Sequence, residues 1–186
     1  RAIDFLIRIK NSNERMKELI HGLLKYSKIG EHDRNESVDL NLVLQAVQED
    51  LHLLIRETGT SIDVLPLPII QGANIEIRSA FQNLISNAIK FTEKGISPKI
   101  EIGMKLGKNS FDIFVKDNGI GIEEQYLKNI FDMFYRASPE AKGSGLGLYI
   151  VQETLDKLNG SIEVESAIGE GTKFTVVIPN MTLGID

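Results

Sequence analysis

The sequence predicts an α+β fold, a two-layer sandwich in which helices cover one face of a mixed, mainly antiparallel sheet. After residue 38, segments whose apolar residues recur with helical spacing alternate with segments of strand-like alternation. Some strand-like segments follow one another across short polar turns, as at 99–106 and 110–117, which favours antiparallel pairing. The 186 residues, 42% hydrophobic and 25% charged, are sufficient for one core with an appendage.

The N-terminal segment has a different pattern from the rest of the sequence. From residue 2 to about residue 28 the apolar residues recur at spacings of mostly 3, 4 or 7, which predicts a long helix with one apolar stripe. Such a stripe must be buried, and on a terminal helix it favours an oligomer or bundle interface. Residues 30–37, "GEHDRNES", are polar and lack periodicity, as is typical of a linker. The sequence therefore divides into a helix at 1–29, a linker at 30–37 and a domain at 38–186.

The elements of the domain follow from periodicity and from the residues that end each segment. Gly59 and Gly95 end two helical segments, since glycine is common just after a helix. Pro66 and Pro68 bound a short strand because proline has no N–H to donate to a sheet. In order, the sequence predicts a helix at 42–58, a strand at 61–67, a helix at 73–95, strands at 99–106 and 110–117, a helix at 146–158, and strands at 161–166 and 172–179 joined by a turn.

Composition and charge argue against several classes of protein. A net charge of −5 at pH 7 and an isoelectric point near 5.3 argue against a nucleic-acid surface, which usually needs a basic face. The absence of cysteine excludes disulfides and thiolate sites, and His21, His32 and His52 are too scattered to form a metal site. No apolar run approaches the roughly 20 residues of a membrane helix, so we expect a soluble protein without membrane contact. Because the sequence starts at Arg1 without an initiator methionine, we expect an excerpt of a longer protein.

Three glycine-containing motifs suggest contacts between a ligand and the backbone. "GSGLGL" at 143–148 lies at the start of a helical segment, where free amides and the helix dipole can bind an anion. "DNGIGI" at 117–122 puts a carboxylate at the end of a strand and two glycines after it, which fits either a ligand against the backbone or an ordinary polar turn. "GEGT" at 169–172 is by itself more typical of a hairpin turn.

One face of the predicted helix at 73–95 carries three polar residues. Asn83, Asn87 and Lys90 are spaced by four and three residues, so they project from the same side. Asparagine is a poor helix former, and its repetition on one face indicates that its amide is used. The more common phosphate motifs are absent: there is no P-loop, no dinucleotide GxGxxG and no signature of the serine, threonine or tyrosine kinases.

Together, these motifs resemble those of a known family. Five motifs occur in the order of the N, G1, F, G2 and G3 boxes of the histidine kinase catalytic domain and resemble them. They are "NLISNAIKF", "DNGIGI", "IFDMFYR", "GSGLGL" and "GEGT". The resemblance implies the Bergerat-type ATP-binding fold shared with gyrase, a heat-shock chaperone and the mismatch-repair ATPases. Residues 1–29, notably "RMKELIHGLLKYSKI", resemble the second helix of the dimerization and phosphoacceptor hairpin that precedes this domain in such kinases. The resemblance covers essentially all of the sequence.

The resemblance implies roles for the residues near the phosphates and the base. Asn87 would give its amide oxygen to Mg²⁺, Lys90 would meet phosphate charge, and Asp117 would accept a hydrogen bond from the adenine amine. Thr172 would add a hydroxyl near the adenine. The implied catalytic residues are Asn83, Asn87 and Lys90, and the implied ATP contacts are Asn87, Lys90, Phe91, Asp117, Gly119, Gly121, Ile122, Phe131, Phe134, Gly143, Ser144, Gly145, Leu146, Gly147 and Thr172.

The resemblance also implies a lid over the nucleotide. The glycines of "GSGLGL" would form its hinge and present amides to the phosphates, and those of "DNGIGI" would let the base and ribose approach the backbone. Phe131 and Phe134 would latch the lid, although both fit equally well as core residues. Arg136 and Lys142 are better explained as solvated lid residues than as phosphate contacts.

Two departures from the family pattern bear on activity, and Asn83 bears on the type of reaction. The lid segment "ASPEAK" at 137–142 is short, and the first hairpin helix with its phosphoacceptor histidine is missing. None of the three histidines has the context of that acceptor. Asn83 occupies the place where the ATP-hydrolysing branches carry a glutamate that activates water, and an amide cannot act as a base. The resemblance therefore implies phosphoryl transfer rather than hydrolysis.

We therefore expect the catalytic domain of a two-component sensor histidine kinase, which uses Mg²⁺ and ATP to phosphorylate a histidine outside this sequence. The expected partners are the parent's phosphoacceptor hairpin, a downstream response regulator receiver domain, and a second copy through the N-terminal helix. We expect a cytoplasmic location and no autophosphorylation by this domain alone. The alternatives are a regulatory module that binds ATP without catalysis and an ATPase with nucleotide-gated dimerization.

Overall fold

The computed structural model describes residues 36–136 and 144–180, together with Asn13. The predicted N-terminal helix, the linker up to residue 35 and the lid segment 137–143, with Lys142 and Gly143, lie outside the described residues. In sequence order the elements are β1 (Glu36–Asp39), α1 (Leu40–Asp50), α2 (His52–Thr58), β2 (Ser61–Val64), β3 (Ile69–Gly72), α3 (Asn74–Lys90), β4 (Lys99–Leu106), β5 (Ser110–Asp117), α4 (Glu124–Leu127), α5 (Gly147–Lys157), β6 (Ser161–Ala167) and β7 (Gly171–Pro179).

Five strands form the main sheet in the order β2-β4-β5-β7-β6. β2 runs parallel to β4, and every other neighbouring pair is antiparallel. Side chains alternate along each strand, so one face of the sheet is buried against α1, α3 and α5 in a single apolar cluster. The predicted α+β fold with a mixed, mainly antiparallel sheet is confirmed. The buried residues of its central strands are Ile100, Ile102, Ile113, Val115, Phe174, Val176 and Ile178.

A second, two-stranded sheet pairs β1 with β3 in antiparallel register, Val38 opposite Ile70. β1 includes Glu36 and Ser37, which the sequence pattern places in the linker. Asp39 then caps α1, because its side chain accepts a hydrogen bond of 2.8 Å from the N–H of Asn41. This small sheet connects the start of the domain to the N-terminal end of α3.

The predicted single helix at 42–58 is two helices, α1 and α2, separated at Leu51. The interruption is local, since the N–H of Leu51 still bonds to the carbonyl of Val47 at 3.0 Å. Gly59 ends α2 in the left-handed region at φ 64°, as the sequence predicts. The strand after it ends at Val64 rather than at residue 67, just before the two prolines.

Helix α3 is the central element of the helical layer. It packs on α5 and α1, and an ion pair of 3.1 Å joins Glu76 of α3 to Lys157 of α5. Glu76 is only 4% exposed, so this pair lies inside the interface between the two helices. The helix ends at Lys90 instead of at the predicted Gly95. In the ranges 36–136 and 144–180, no helix is both long and apolar enough to cross a lipid bilayer.

Candidate functional site

A cavity of about 620 Å³ opens between the second half of α3, the loop after β5, the start of β7 and the start of α5. The residues that line it come from several segments of the sequence, and the first and last of them, Asn83 and Phe174, are 91 residues apart. The structure brings most of the sequence-predicted site residues together in this one place. Those lining the cavity are Asn83, Asn87, Lys90, Phe91, Asp117, Gly119, Gly121, Ile122, Ser144, Gly145, Gly147 and Thr172.

Asp117, the last residue of β5, is held by two backbone donors. Its Oδ1 accepts hydrogen bonds from the N–H groups of Gly119 at 2.8 Å and Thr172 at 3.0 Å. No described residue donates to its Oδ2, so this oxygen can accept a hydrogen bond from a ligand. Burial raises the pKa of Asp117 above its ordinary value of 3.8, and the two N–H donors offset part of that rise. The site therefore holds a fixed, partly desolvated acceptor.

The loop that follows Asp117, residues 118–123, is tied to three other segments. The N–H of Ile120 bonds to the carbonyl of Phe91 at the end of α3, and the carbonyl of Ile120 accepts from Gly169 in the turn between β6 and β7, both at 2.9 Å. Asn118 reaches back to the start of β4, where its Oδ1 accepts from the N–H of Lys99 at 2.7 Å. The loop is thus a fixed wall of the cavity.

Glycine is required at position 121 by the protein itself. Gly121 has φ +73°, and a Cβ there would collide with the carbonyl oxygen of Ala167. The family resemblance attributes this glycine to the approach of a nucleotide, whereas the structure shows close approach to the neighbouring β6 strand. Gly121 also lines the cavity, so the two explanations are compatible.

The polar face of α3 points into the cavity, and its side chains differ in how far they are already hydrogen-bonded. The Nδ2 of Asn83 donates to the carbonyl of Ser79 at 2.9 Å, so this amide is partly used within its own helix. Asn87 and Lys90 line the cavity, and among the described residues their side chains make no hydrogen bond or ion pair. An amide oxygen and an ammonium group are therefore available to a ligand on adjacent turns.

The first turn of α5 borders the cavity through Gly147 and Leu148. The N-cap residue Leu146 makes no side-chain capping bond, and α5 begins directly at Gly147 against the cavity. Gly145 has φ +73°, and a Cβ there would lie 2.7 Å from the carbonyl carbon of Phe134 and from the carbonyl oxygen of Tyr135. The side chain of Leu146 is buried in the protein and does not line the cavity.

The two phenylalanines of the F-box motif have different positions. Phe131 packs against the core and meets Phe174 edge to face, with ring centroids 6.3 Å apart. Phe134 is 44% exposed and has φ 65°, which is rare for a residue other than glycine. Neither side chain lines the cavity. Phe131 thus matches the core interpretation, and Phe134 lies beside Gly145 outside the core.

Several cavity residues were not predicted from the sequence. Ile120 and Ile168 stand at its edge, and Ile168, in the turn between β6 and β7, is 62% exposed. Its occurrence in a glycine-rich turn is the signal that could have identified it. Arg136, interpreted from the sequence as a solvated lid residue, lies in the cavity wall. The other additional lining residues are Ser86, Ala88, Glu123, Tyr126, Ile130, Tyr135, Leu148 and Phe174.

The charged groups at the site limit how a metal could bind. Among the described residues, no group of three or more His, Asp or Glu side chains could hold a metal ion. A hard divalent ion such as Mg²⁺ accepts one amide oxygen when phosphate oxygens and waters complete its shell. The side chain of Asn87, which has no partner among the described residues, fits that requirement.

The protein is similar to parts of larger signalling proteins. It is 36% identical over 175 residues to cyanobacterial phytochrome B of a Nostoc species, a match that covers 91% of this chain and 23% of that protein. It is 34% identical over 186 residues to the autoinducer 2 sensor kinase/phosphatase LuxQ of Vibrio vulnificus, covering 91% of this chain and 21% of that protein. It therefore spans less than a quarter of the length of these curated relatives.

Its fold matches a solved structure of similar extent. The mycobacterial sensor histidine kinase MprB superimposes with a TM-score of 0.64 at 25% identity, covering 78% of this chain and 97% of that one. Residues 72–182, more than half of the sequence and all of the cavity lining, match the family described as histidine kinase-, DNA gyrase B-, and HSP90-like ATPase. The protein therefore belongs to this ATPase family, which implies that it binds ATP.

Proposed function

We propose that this protein is the catalytic domain of a sensor histidine kinase, which transfers the γ-phosphoryl group of Mg²⁺-bound ATP to a histidine of a separate phosphoacceptor hairpin. The observation that carries the proposal is the joint lining of one cavity by Asp117, Asn87, Lys90 and the first turn of α5. Two similar proteins bear the names sensor kinase/phosphatase and sensor histidine kinase.

The base of the nucleotide binds at Asp117. A fixed carboxylate whose Oδ2 has no partner among the described residues accepts a hydrogen bond from the exocyclic amine of adenine. Guanine carries a carbonyl oxygen at the same ring position and would leave the carboxylate mispaired. The apolar edge of the cavity, formed by Ile120 and Ile168, packs on the base.

The phosphates bind between α3 and α5. The backbone amides at the start of α5 and the positive end of its dipole favour an anion, and Lys90 adds a cation from the facing helix. Asn87 holds Mg²⁺ by its amide oxygen. When bound, the ion would neutralise part of the phosphate charge, and the residues of the protein would position the triphosphate.

The residues around the phosphates favour transfer over hydrolysis. Asn83 lies one turn before Asn87, donates to the Ser79 carbonyl and cannot take a proton from water. Phosphoryl transfer depends mainly on position and charge, so a site without a base at this place holds the γ-phosphoryl group for another acceptor. That acceptor is a histidine of the parent's hairpin, and a response regulator receiver domain is the next acceptor. The parent acts as a homodimer, and this domain is cytoplasmic.

The proposal is tested by mixing the domain with a separately expressed hairpin from its parent protein and labelled ATP. We expect acid-labile, base-stable label on the hairpin histidine, formed slowly because separate domains lack the millimolar effective concentration of joined ones. The domain alone acquires almost no label, and free phosphate stays low in both mixtures. Fast phosphate release without the hairpin would indicate an ATPase, and ATP binding with no transfer at high hairpin concentration would indicate a regulatory module.

A further inference from the structure

We propose that Ser166 is a positioning residue for base selection, because it fixes the direction of the hydrogen bond made by the Thr172 hydroxyl. The inference rests on the proposed binding of adenine at Asp117. Ser166 lies in β6 next to the cavity but does not line it, whereas Thr172 lines the cavity and is only 7% exposed. Ser166 therefore acts on a ligand only through another residue.

The hydroxyl of Ser166 joins three groups at the junction of the 118–123 loop and the turn between β6 and β7. Its Oγ lies 2.9 Å from the N–H of Ile122, 2.9 Å from the carbonyl oxygen of Gly171 and 2.9 Å from Oγ1 of Thr172. A serine hydroxyl has one proton to donate and two lone pairs to accept with, so these three contacts use its full capacity.

The proton positions follow from the chemistry of the partners. The Ile122 N–H can only donate, and the Gly171 carbonyl can only accept. Ser166 must therefore donate its single proton to Gly171, and the remaining contact requires Thr172 to donate to Ser166. The Thr172 proton is directed away from the ligand, and only the lone pairs of Oγ1 are left for the cavity.

This assignment makes the base end of the cavity an acceptor at two points. Oδ2 of Asp117 and Oγ1 of Thr172 both accept, and the two residues are joined by the 3.0 Å bond from the Thr172 N–H to Oδ1 of Asp117. At its 6-position, a 6-amino purine offers two N–H donors to these acceptors, whereas a 6-oxo purine places a further acceptor there. Ser166 thus contributes to the choice of 6-amino over 6-oxo purines without touching the base.

The test compares ATP with inosine triphosphate, which carries a 6-oxo group and an N1–H where ATP carries a 6-amino group and an unprotonated N1, by calorimetric titration of residues 1–186. In Ser166→Ala the Thr172 hydroxyl loses its obligatory acceptor and can rotate to donate, so the ratio of the two affinities falls about fivefold, the net value of one ordinary hydrogen bond. Ser161→Ala, an exposed serine on the same strand, keeps the wild-type ratio. Ser166→Thr retains the hydroxyl and also keeps the ratio.

A double-mutant cycle identifies Thr172 as the intermediary. In a Thr172→Val background, adding Ser166→Ala leaves the ratio unchanged, because there is no hydroxyl left to redirect. If Ser166→Ala lowers both affinities equally, or lowers the ratio equally in both backgrounds, the positioning role is wrong. Should the alanine variant fail to fold, Ser166→Cys, a weaker acceptor, gives the same test with a smaller change. A wild-type protein that does not bind ATP would instead contradict the proposed function itself.

Discussion

The backbone N–H of Phe134 donates a hydrogen bond of 3.0 Å to the carbonyl oxygen of Gly145. This bond joins the described residues that precede and follow segment 137–143. Both residues have positive φ, 65° and 73°, so the junction has an uncommon backbone conformation on each side. Because Ser144, Gly145 and Gly147 line the cavity, this junction also sets the position of that side of the cavity.

We expect Gly145→Ala to weaken ATP binding at least fivefold, about 1 kcal/mol, through displacement of the junction. A Cβ at this position would lie 2.7 Å from backbone atoms of Phe134 and Tyr135, and backbone atoms cannot move aside easily. Gly95→Ala is the matched control, since Gly95 has φ +89° but open space around it. Both variants lose about 1 kcal/mol of folding stability from the positive φ, Gly145→Ala loses more because of the clash, and only Gly145→Ala loses affinity. Unchanged affinity in Gly145→Ala would contradict this.

Asp117→Asn should weaken ATP binding by about 5- to 150-fold, from the roughly 1 to 3 kcal/mol cost of a mispaired buried polar group. An asparagine Oδ1 keeps both bonds from the N–H groups of Gly119 and Thr172, so the loop stays in place. Its Nδ2, however, would confront the adenine amine with a second donor. Calorimetric titration with ATP and GTP measures both effects, and equal affinity of the wild-type protein for the two nucleotides would remove the assignment.

The same variant should be more stable than the wild type near neutral pH when no nucleotide is present. Burial raises the pKa of Asp117, so the stability it contributes is present below its ordinary value of 3.8 and is lost as pH rises through the raised value. Asparagine does not titrate. The difference in melting temperature, Asp117→Asn minus wild type, should therefore widen as pH rises through that range and then level off. A constant difference across the range would show that burial does not penalise the charge.

Asn87→Ala should abolish phosphotransfer and remove the effect of Mg²⁺ on ATP affinity while leaving part of the affinity for the base. The metal ligand and the base acceptor lie on different elements, α3 and β5, so their losses should separate. Asn74→Ala is the matched control, because Asn74 is an exposed asparagine of the same helix away from the cavity. Phosphotransfer by Asn87→Ala with an undiminished response to Mg²⁺ would refute the role of Asn87.

Lys157→Met should lower the free energy of unfolding by about 3 kcal/mol, because it leaves Glu76 buried without its cation. The pair between Arg78 and Asp50 is the control: it is shorter, 2.7 Å, but its side chains are 40% and 36% exposed. Arg78→Met should cost less than about 1 kcal/mol. Chemical denaturation measures both. Equal losses in the two variants would mean that burial does not decide how much these pairs stabilise the protein.

The type and order of most elements could be predicted from the sequence, but several boundaries could not. Periodicity does not detect the one-residue interruption at Leu51, which neither proline nor glycine marks. The end of α3 was predicted at Gly95 from its glycine. The helix ends at Lys90 because two of its last carbonyl groups accept hydrogen bonds from outside the helix. The Thr92 hydroxyl donates to the Ala88 carbonyl at 2.9 Å, and the N–H of Ile120 donates to the Phe91 carbonyl. That second bond depends on the tertiary structure.

The composition of the cavity was predictable only where a motif marked it. Asn87 stands out because asparagine is a poor helix former, and Asp117 and the glycines stand out because their motifs lie at the end of a strand and the start of a helix. Ser166 is an ordinary serine in a strand, and its importance comes from three bonds to residues up to 44 positions away. Contacts between distant segments leave no pattern in a single sequence, so such a residue becomes visible only in the folded protein.

Hydrogen bonds donated by backbone N–H groups of connecting segments hold the wall of the cavity in place. The N–H groups of Ile120, Ile122 and Gly169 each donate from a connecting segment to a group elsewhere in the fold, outside any helix or strand ladder. Such amides exchange with solvent through local opening, without global unfolding. They should therefore exchange together, faster than the amides inside α3, and slow down when a nucleotide occupies the cavity. Hydrogen exchange at these three positions would thus report occupancy of the site directly, independently of any phosphotransfer.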